Sequence, residues 1–455
     1  MQGRQIKRCG LFSLTLLATF LHCSCLPHST GGKPFPETAK EIASYTKVAK
    51  SIIDLAVYGK AQNRSYERLA DFTDTIGNRV SGSKNLDLAI KYMFSALRKD
   101  GLENVHLEPV KIPHWVRGEE SAMMLQPRNH TMAILGLGSS VATPQGGIEA
   151  EVLVVESFEE LKKRQKEAIG KIVVYNQPFI GASKAAEVGA VATLIRSITP
   201  FSINRYWMGH NDPMTTACIT VEDAMMMARM AKRGQRIVVR LTMNAQTFPD
   251  ADSFNTVAEI IGSEHPEQVI SLLNVVIWDV GQGAMDDGGG ALISWEALSL
   301  SKVLGLRPRR TLRTVLWSAE EQGGVGAQQY FQLHKVNISN FNLVMESDLG
   351  TFSPLGLQFT GSAQARAVMA EVMKLLKPIN TTTLEEHGEG VDIEMWMDAG
   401  VPGASLHVAD SRYFWFHHTN GDTMSVQSPI EMNLCSALWA VVAYVVADLE
   451  EMLPR

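Results

Sequence analysis

Cysteine is scarce, with five in 455 residues. Cys9 and Cys23 belong to an N-terminal leader and Cys25 stands at its edge, so Cys218 and Cys435 remain. Two cysteines make no disulfide framework, and a chain of this length can bury a large core without one. A basic excess is also missing. The formal net charge is −6 and no basic patch runs through the chain, which argues against a nucleic-acid partner. Beyond the leader no segment reaches ~20 consecutive apolar residues, so no membrane span is expected in the mature chain. There is no internal repeat, no Gly-x-Ser-x-Gly elbow and no Gly-Lys-Ser/Thr phosphate loop. The pair Gly136-Leu137-Gly138 lacks the third glycine of a dinucleotide fingerprint.

What is present begins with a leader. Arg4, Lys7 and Arg8 precede the apolar run Leu11 to Leu21, a signal-peptide core too short for a comfortable span. Cleavage is expected near residue 25. Residues 26–45, with Gly31-Gly32 and Pro34-Phe35-Pro36, read as a pro-segment or disordered stretch. Sequons at Asn63, Asn129, Asn337 and Asn380 agree with a secreted, extracellular glycoprotein, or one held in secretory or lysosomal compartments.

Residues 46–131 carry helical spacing (Leu55, Val57, Leu69, Phe72, Ile90, Met93, Leu97) and read as the first part of a main domain. Residues 132–249 turn to short β-like runs such as Val152 to Val155 and Ile172 to Tyr175, which predict a smaller inserted β-rich domain. Met225-Met226-Met227 within it reads as helix core filling. From 250 to 455 the pattern is strand–helix–strand. Val269 to Trp278, Thr311 to Trp317 and Phe341 to Met345 are strand-length apolar runs, and Gly288 to Leu304 and Ala365 to Leu376 are helical. The expected fold class is α/β, a mixed and mainly parallel sheet sandwiched by helices, with the insert beside it.

Ligands of open α/β sheets bind beyond the carboxyl ends of the strands. Here three strands run into acids: Asp279, Asp286 and Asp287 before Gly288-Gly289-Gly290; Glu320-Glu321 after Trp317; and Glu346-Ser347-Asp348. His417-His418 follows later. An Asp-Asp-Gly-Gly-Gly is commonly only a turn and helix cap, and a Glu-Glu after a strand is commonly a solvated loop. Their joint occurrence at successive strand ends is the informative feature. Converging carboxylates repel, so they need a cation or a proton. Zinc accepts carboxylate and imidazole, and Asp286 is a candidate bridge between two ions. Of the adjacent Glu320 and Glu321, one can bind metal while the other takes a proton from water; the residues alone do not say which.

At Trp278 to Gly290, Leu316 to Gly324, Glu346-Ser347-Asp348 and Phe416-His417-His418 the chain resembles the co-catalytic zinc aminopeptidases and carboxypeptidases. The similarity covers most of the chain after about residue 45. It implies two zinc ions bridged by Asp286, with Glu321 and His418 on one and Asp348 on the other. It implies Glu320 as general base for a metal-bound hydroxide, and a substrate pocket near His387 and Asp392. It also implies hydrolysis of dipeptides or short peptides, a homodimer, and a protease-associated character for the insert.

Two departures stand out. Where the family pattern has His-x-Asp before the metal loop, this chain has Asn274-Val275-Val276, with one residue fewer between Gln268 and Trp278. The insert is also shorter between Gln177 and Ala217. Asn is a poor zinc ligand, so one ion is expected to be weak or absent. A catalytically impaired secreted binding protein on the same fold is the alternative reading.

Overall fold

A computed structural model describes residues 35–177, 183–200, 214–276, 280–409 and 412–455, with no side chains described at 274–276. The leader, Trp278 and Asp279 lie outside these residues, as does much of the shortened stretch between Gln177 and Ala217.

The apolar runs become the centre of an eight-stranded sheet. Its order is Glu103–Val116, Gln246–Ile260, Arg310–Ser318, His265–Val276, Phe341–Glu346, Gly403–Val408, Pro354–Thr360, Thr383–Glu386. The four strands from Arg310–Ser318 to Gly403–Val408 run parallel to one another. They are buried on both faces, which is why they read as nearly continuous hydrophobic sequence. Leu272, Leu316 and Met345 pack into one core with the helices Gly289–Val303 and Pro429–Asp448. Leu273, Val315 and Trp317 pack into the opposite core with Tyr330 and Trp396. Both covering helices are buried on almost every side, and the one charged group sunk in the first, Glu296, is paired with Arg64 and Arg68. Pro429–Asp448 is long and apolar enough to cross a membrane by composition, yet it lies inside this core.

Residues 35–45 differ from expectation. Phe35–Ser44 is a helix whose Ile42 is buried, and the Tyr45 hydroxyl donates to the Asp448 carboxylate at 2.9 Å. The amphipathic spacing Ala39, Ile42, Ala43 outweighs Pro36, which sits in the first turn of the helix where a missing N–H costs nothing.

The second sheet also has eight strands and runs from Glu120 to Met243, so it begins earlier than the composition change at 132. Within it Ile148–Val155, Ile172–Tyr175, Ala192–Arg196 and Thr216–Ile219 are parallel, and the helix Val221–Lys232 packs on them. Met227 is buried there while Met225 is exposed. The long strands Glu103–Val116 and Gln246–Ile260 pair antiparallel as far as Val116 with Gln246, and they join the two sheets.

Candidate metal centre

Register brings the acidic strand ends together. Leu273 pairs with Glu346, Asn274 with Leu316 and Val276 with Ser318, so three neighbouring strands end at one level. Beyond Ser318 the chain turns through Ala319 at φ 59°, and the Glu320 carbonyl accepts from Gly323 N at 2.7 Å and from Gly324 N. This tight turn leaves Glu320 buried and delivers Glu321 beside it.

The metal loop is held from below by Asp422. Its carboxylate accepts Met285 N at 2.7 Å and Asp286 N at 3.1 Å, and its own carbonyl accepts Gln282 N at 2.7 Å. Gly281 has φ +68°, and a Cβ there would stand 2.5 Å from the Thr419 carbonyl, so this contact needs glycine. Asp287 accepts Gly290 N at 2.9 Å and caps the helix that follows. Asp286 is left aimed into the site.

There Asp286 Oδ2 lies 3.1 Å from His418 Nε2 and 3.5 Å from His417 Nε2, and His418 Nε2 lies 3.0 Å from Glu321 Oε2. Asp286, His417 and His418 are the group of metal-type ligands found close together among the described residues. The Tyr413 hydroxyl donates to Asp286 Oδ1 at 2.9 Å. The sequence reading missed Tyr413, because it stands in an aromatic run and its contact spans 127 positions. Asp422 is likewise absent from the strand-end pattern of acids. Its spacing of four residues from His418 was the available signal.

Electrostatics mark this as a site short of positive charge. Burial raises the Glu320 carboxyl well above the ordinary range, and Glu321, Asp392, Glu346 and Asp286 push it further. Glu346, Asp348 and Asp392 are likewise pushed well up, first by burial and then by neighbouring carboxylates. Burial also opposes ionisation of Asp286, but the imidazoles of His417 and His418 outweigh it and bring that carboxyl down to about 2. Burial lowers His418, while Glu321 and Asp286 lift it to about 10. His417 falls to about 3, through burial and the charge of His418. One imidazolium cannot offset so many carboxylates; a divalent cation can.

The residues fit zinc. Asp286 Oδ2 and both Asp392 oxygens are buried and make no well-formed hydrogen bond, and the same holds for Glu346 Oε1. Ligand atoms ~2.0–2.2 Å from one tetrahedral ion stand about 3.3 Å apart. Asp286 Oδ2 and Glu321 Oε2 each approach His418 Nε2 at a separation close to that, 3.1 Å and 3.0 Å. His417 is stacked on His418, centroids 3.4 Å apart and planes 22° apart. Asp348 is half-buried and lines an adjoining cavity of about 440 Å³ with Gly388, Glu389, Gly390, Val391, Glu394 and Ser405. Of the two expected pocket residues, His387 is exposed and Asp392 is fully buried. The loop between them supplies the lining.

This fold and site define a class, and sequence comparison agrees. Residues 255–443 match the model of peptidase family M28. The chain belongs to that family, and it is a zinc-dependent metallo-exopeptidase by class. It is 64% identical to Carboxypeptidase Q of Xenopus laevis over 93% of this chain and 94% of that one. The solved peptidase M28 precursor of Shewanella amazonensis superposes with TM-score 0.83 at 27% identity, over 91% of this chain and 99% of its own. A zinc aminopeptidase of Bacillus subtilis shares the fold, with TM-score 0.65 at 16% identity over 86% and 98%.

Proposed function

We propose that this site hydrolyses dipeptides or short peptides, with Glu320 as general base and Asp286, Glu321 and His418 as zinc ligands. The approach of Asp286 Oδ2 and Glu321 Oε2 to His418 Nε2, at 3.1 Å and 3.0 Å, carries the reading. Bound zinc supplies a Lewis acid that polarises the scissile carbonyl and makes a water acidic. The chain's own residues do the rest. Glu320 is buried beside a ligand and crowded by carboxylates, which makes it a stronger proton acceptor than a solvated glutamate. Its carboxylate takes the proton from water and returns it to the leaving amine. The adjoining cavity presents Asp348, Glu389 and Glu394 and no lysine or arginine, so it suits the free ammonium group of an unblocked substrate. The loop from His387 to Asp392 forms one wall of that pocket. The name of the Xenopus laevis relative, a carboxypeptidase, adds carboxy-terminal release to the reading.

One zinc per chain is held tightly. Tyr413 engages Asp286 Oδ1, the oxygen a second ion would use, and Asn274 stands where the resemblance implies a histidine. Asp348 is then a cavity carboxylate first and a weak ligand second. The leader and sequons support secretion, and a homodimer is the assembly the resemblance implies.

Elemental analysis of the purified chain, set beside hydrolysis of free and N-acetylated dipeptides, tests the reading. About one zinc, chelator-sensitive activity and preference for the free amine are expected. No zinc and no hydrolysis would instead mark a non-catalytic binding protein.

A further inference from the structure

Arg79 is 1% exposed, an unusual place for a guanidinium. It comes from the link between the helices Arg64–Ile76 and Lys84–Lys99, yet two of its hydrogen bonds reach carbonyls about two hundred positions away. Nη1 donates to the Gln282 carbonyl at 2.7 Å and to the Gly77 carbonyl at 2.8 Å. Nη2 donates to the Gly283 carbonyl at 3.2 Å. Its guanidinium carbon sits 4.7 Å over the Phe72 ring. Gln282 and Gly283 open the loop whose third residue after Gly283 is Asp286. Asp422 grips the other side of that loop through three backbone N–H groups. The loop is therefore held between a buried cation on its carbonyls and a buried carboxylate on its amides. Burying a guanidinium costs more than burying an apolar stem of the same length, so packing alone does not explain the arginine. Burial lowers its pKa to about 10 with Asp422 opposing, which keeps it charged at neutral pH.

We infer that Arg79 is a positioning residue for the metal centre: it fixes the Gln282–Gly283 backbone and so sets Asp286 for zinc. This rests on the reading of Asp286 as a ligand. The fork geometry matters, because a guanidinium can satisfy both carbonyls together and an ammonium reaches only one of them well.

The test uses the full chain with Arg79→Met, Arg79→Lys and Asp286→Asn. Zinc affinity is measured by chelator competition, and thermal unfolding is followed on the metal-free proteins. Removing a supporting partner of a ligand typically weakens metal binding ~10–100-fold. Arg79→Met is expected to weaken zinc binding by that much, and Arg79→Lys by less, while KM at saturating zinc stays within about twofold. Should the Met variant not fold, the Lys variant decides by the same measurement. Wild-type zinc affinity in the Arg79 variants, with Asp286→Asn losing zinc, overturns the role of Arg79 and leaves the metal reading standing. Wild-type affinity in Asp286→Asn overturns the metal reading itself.

Discussion

Glu320 and Glu321 are neighbours with opposite assignments, and exchanging each for glutamine separates them. Glu320→Gln removes a base and nothing that touches the ion. A general base contributes typically ~10²–10⁴-fold, so kcat is expected to fall by that range, about 3–5 kcal/mol of barrier. The fold should not suffer. The Glu320 carboxylate is buried among Glu321, Asp392, Glu346 and Asp286, all of which oppose its charge. A neutral amide of the same shape relieves that repulsion, so the metal-free variant is expected to unfold no lower than wild type at pH 7. A carboxyl whose folded pKa is raised stabilises at low pH and loses that contribution as pH rises through the raised value. The stability difference between variant and parent should therefore grow from acid toward neutral pH. Glu321→Gln behaves differently. Its Oε2 stands 3.0 Å from His418 Nε2, one edge of the ligand set, and a neutral amide there leaves two good ligands where catalytic zinc usually has three. Zinc content is expected to fall well below one per chain. The assay is elemental zinc after dialysis, kcat on a free dipeptide, and thermal unfolding with and without chelator. Full zinc with full turnover in Glu320→Gln, or retained zinc in Glu321→Gln, refutes the assignment.

Three further outcomes follow from named contacts. Asn274 and Val276 stand where the family pattern has His-x-Asp, so Asn274→His with Val276→Asp should raise zinc toward two per chain and increase turnover, read by elemental analysis; an unchanged zinc count counts against a missing ligand there. Burial raises the Asp100 carboxyl, but Ser299, Arg68 at 2.8 Å and Trp295 at 3.0 Å bring it below 3.8. That contribution is present above 3.8 and is lost as pH falls through the lower folded value, so Asp100→Asn should cost ~1.5–3 kcal/mol in denaturant unfolding at pH 7 and progressively less as the pH falls below 3.8; a cost that does not fall with pH would refute it. Asn129, Asn337 and Asn380 are exposed, whereas the half-buried Asn63 accepts from Asn433 at 2.9 Å, so glycosidase mapping after secretion should find sugar on the first three and not on Asn63.

Much of this protein follows from local pattern alone. The strands entering the site, the helix after Gly288-Gly289-Gly290 and the acids at the strand ends are encoded by short-range hydrophobic order and by residue type. Asp286, Glu320, Glu321, Asp348 and the His417-His418 pair could therefore be named as candidates before any coordinates, with His418 chosen from the pair by the resemblance. Periodicity shows what is buried, but not what a buried polar atom meets. Tyr413 on Asp286, Asp422 on the loop amides and Arg79 on the loop carbonyls join segments more than a hundred positions apart. No spacing rule reaches that far. Three strands end at one level only because inter-strand register sets them so, and that register places Glu346 beside the Glu320 turn. The helix at Phe35–Ser44 is ordered for the same reason: its apolar stripe gains a surface to cover only once helix Ala363–Lys374 is in place, which composition could not show. Local sequence determined the elements and the chemistry at their ends, while the tertiary structure decided which ends meet and which backbone groups hold them there, because those energies exist only between distant parts of the chain.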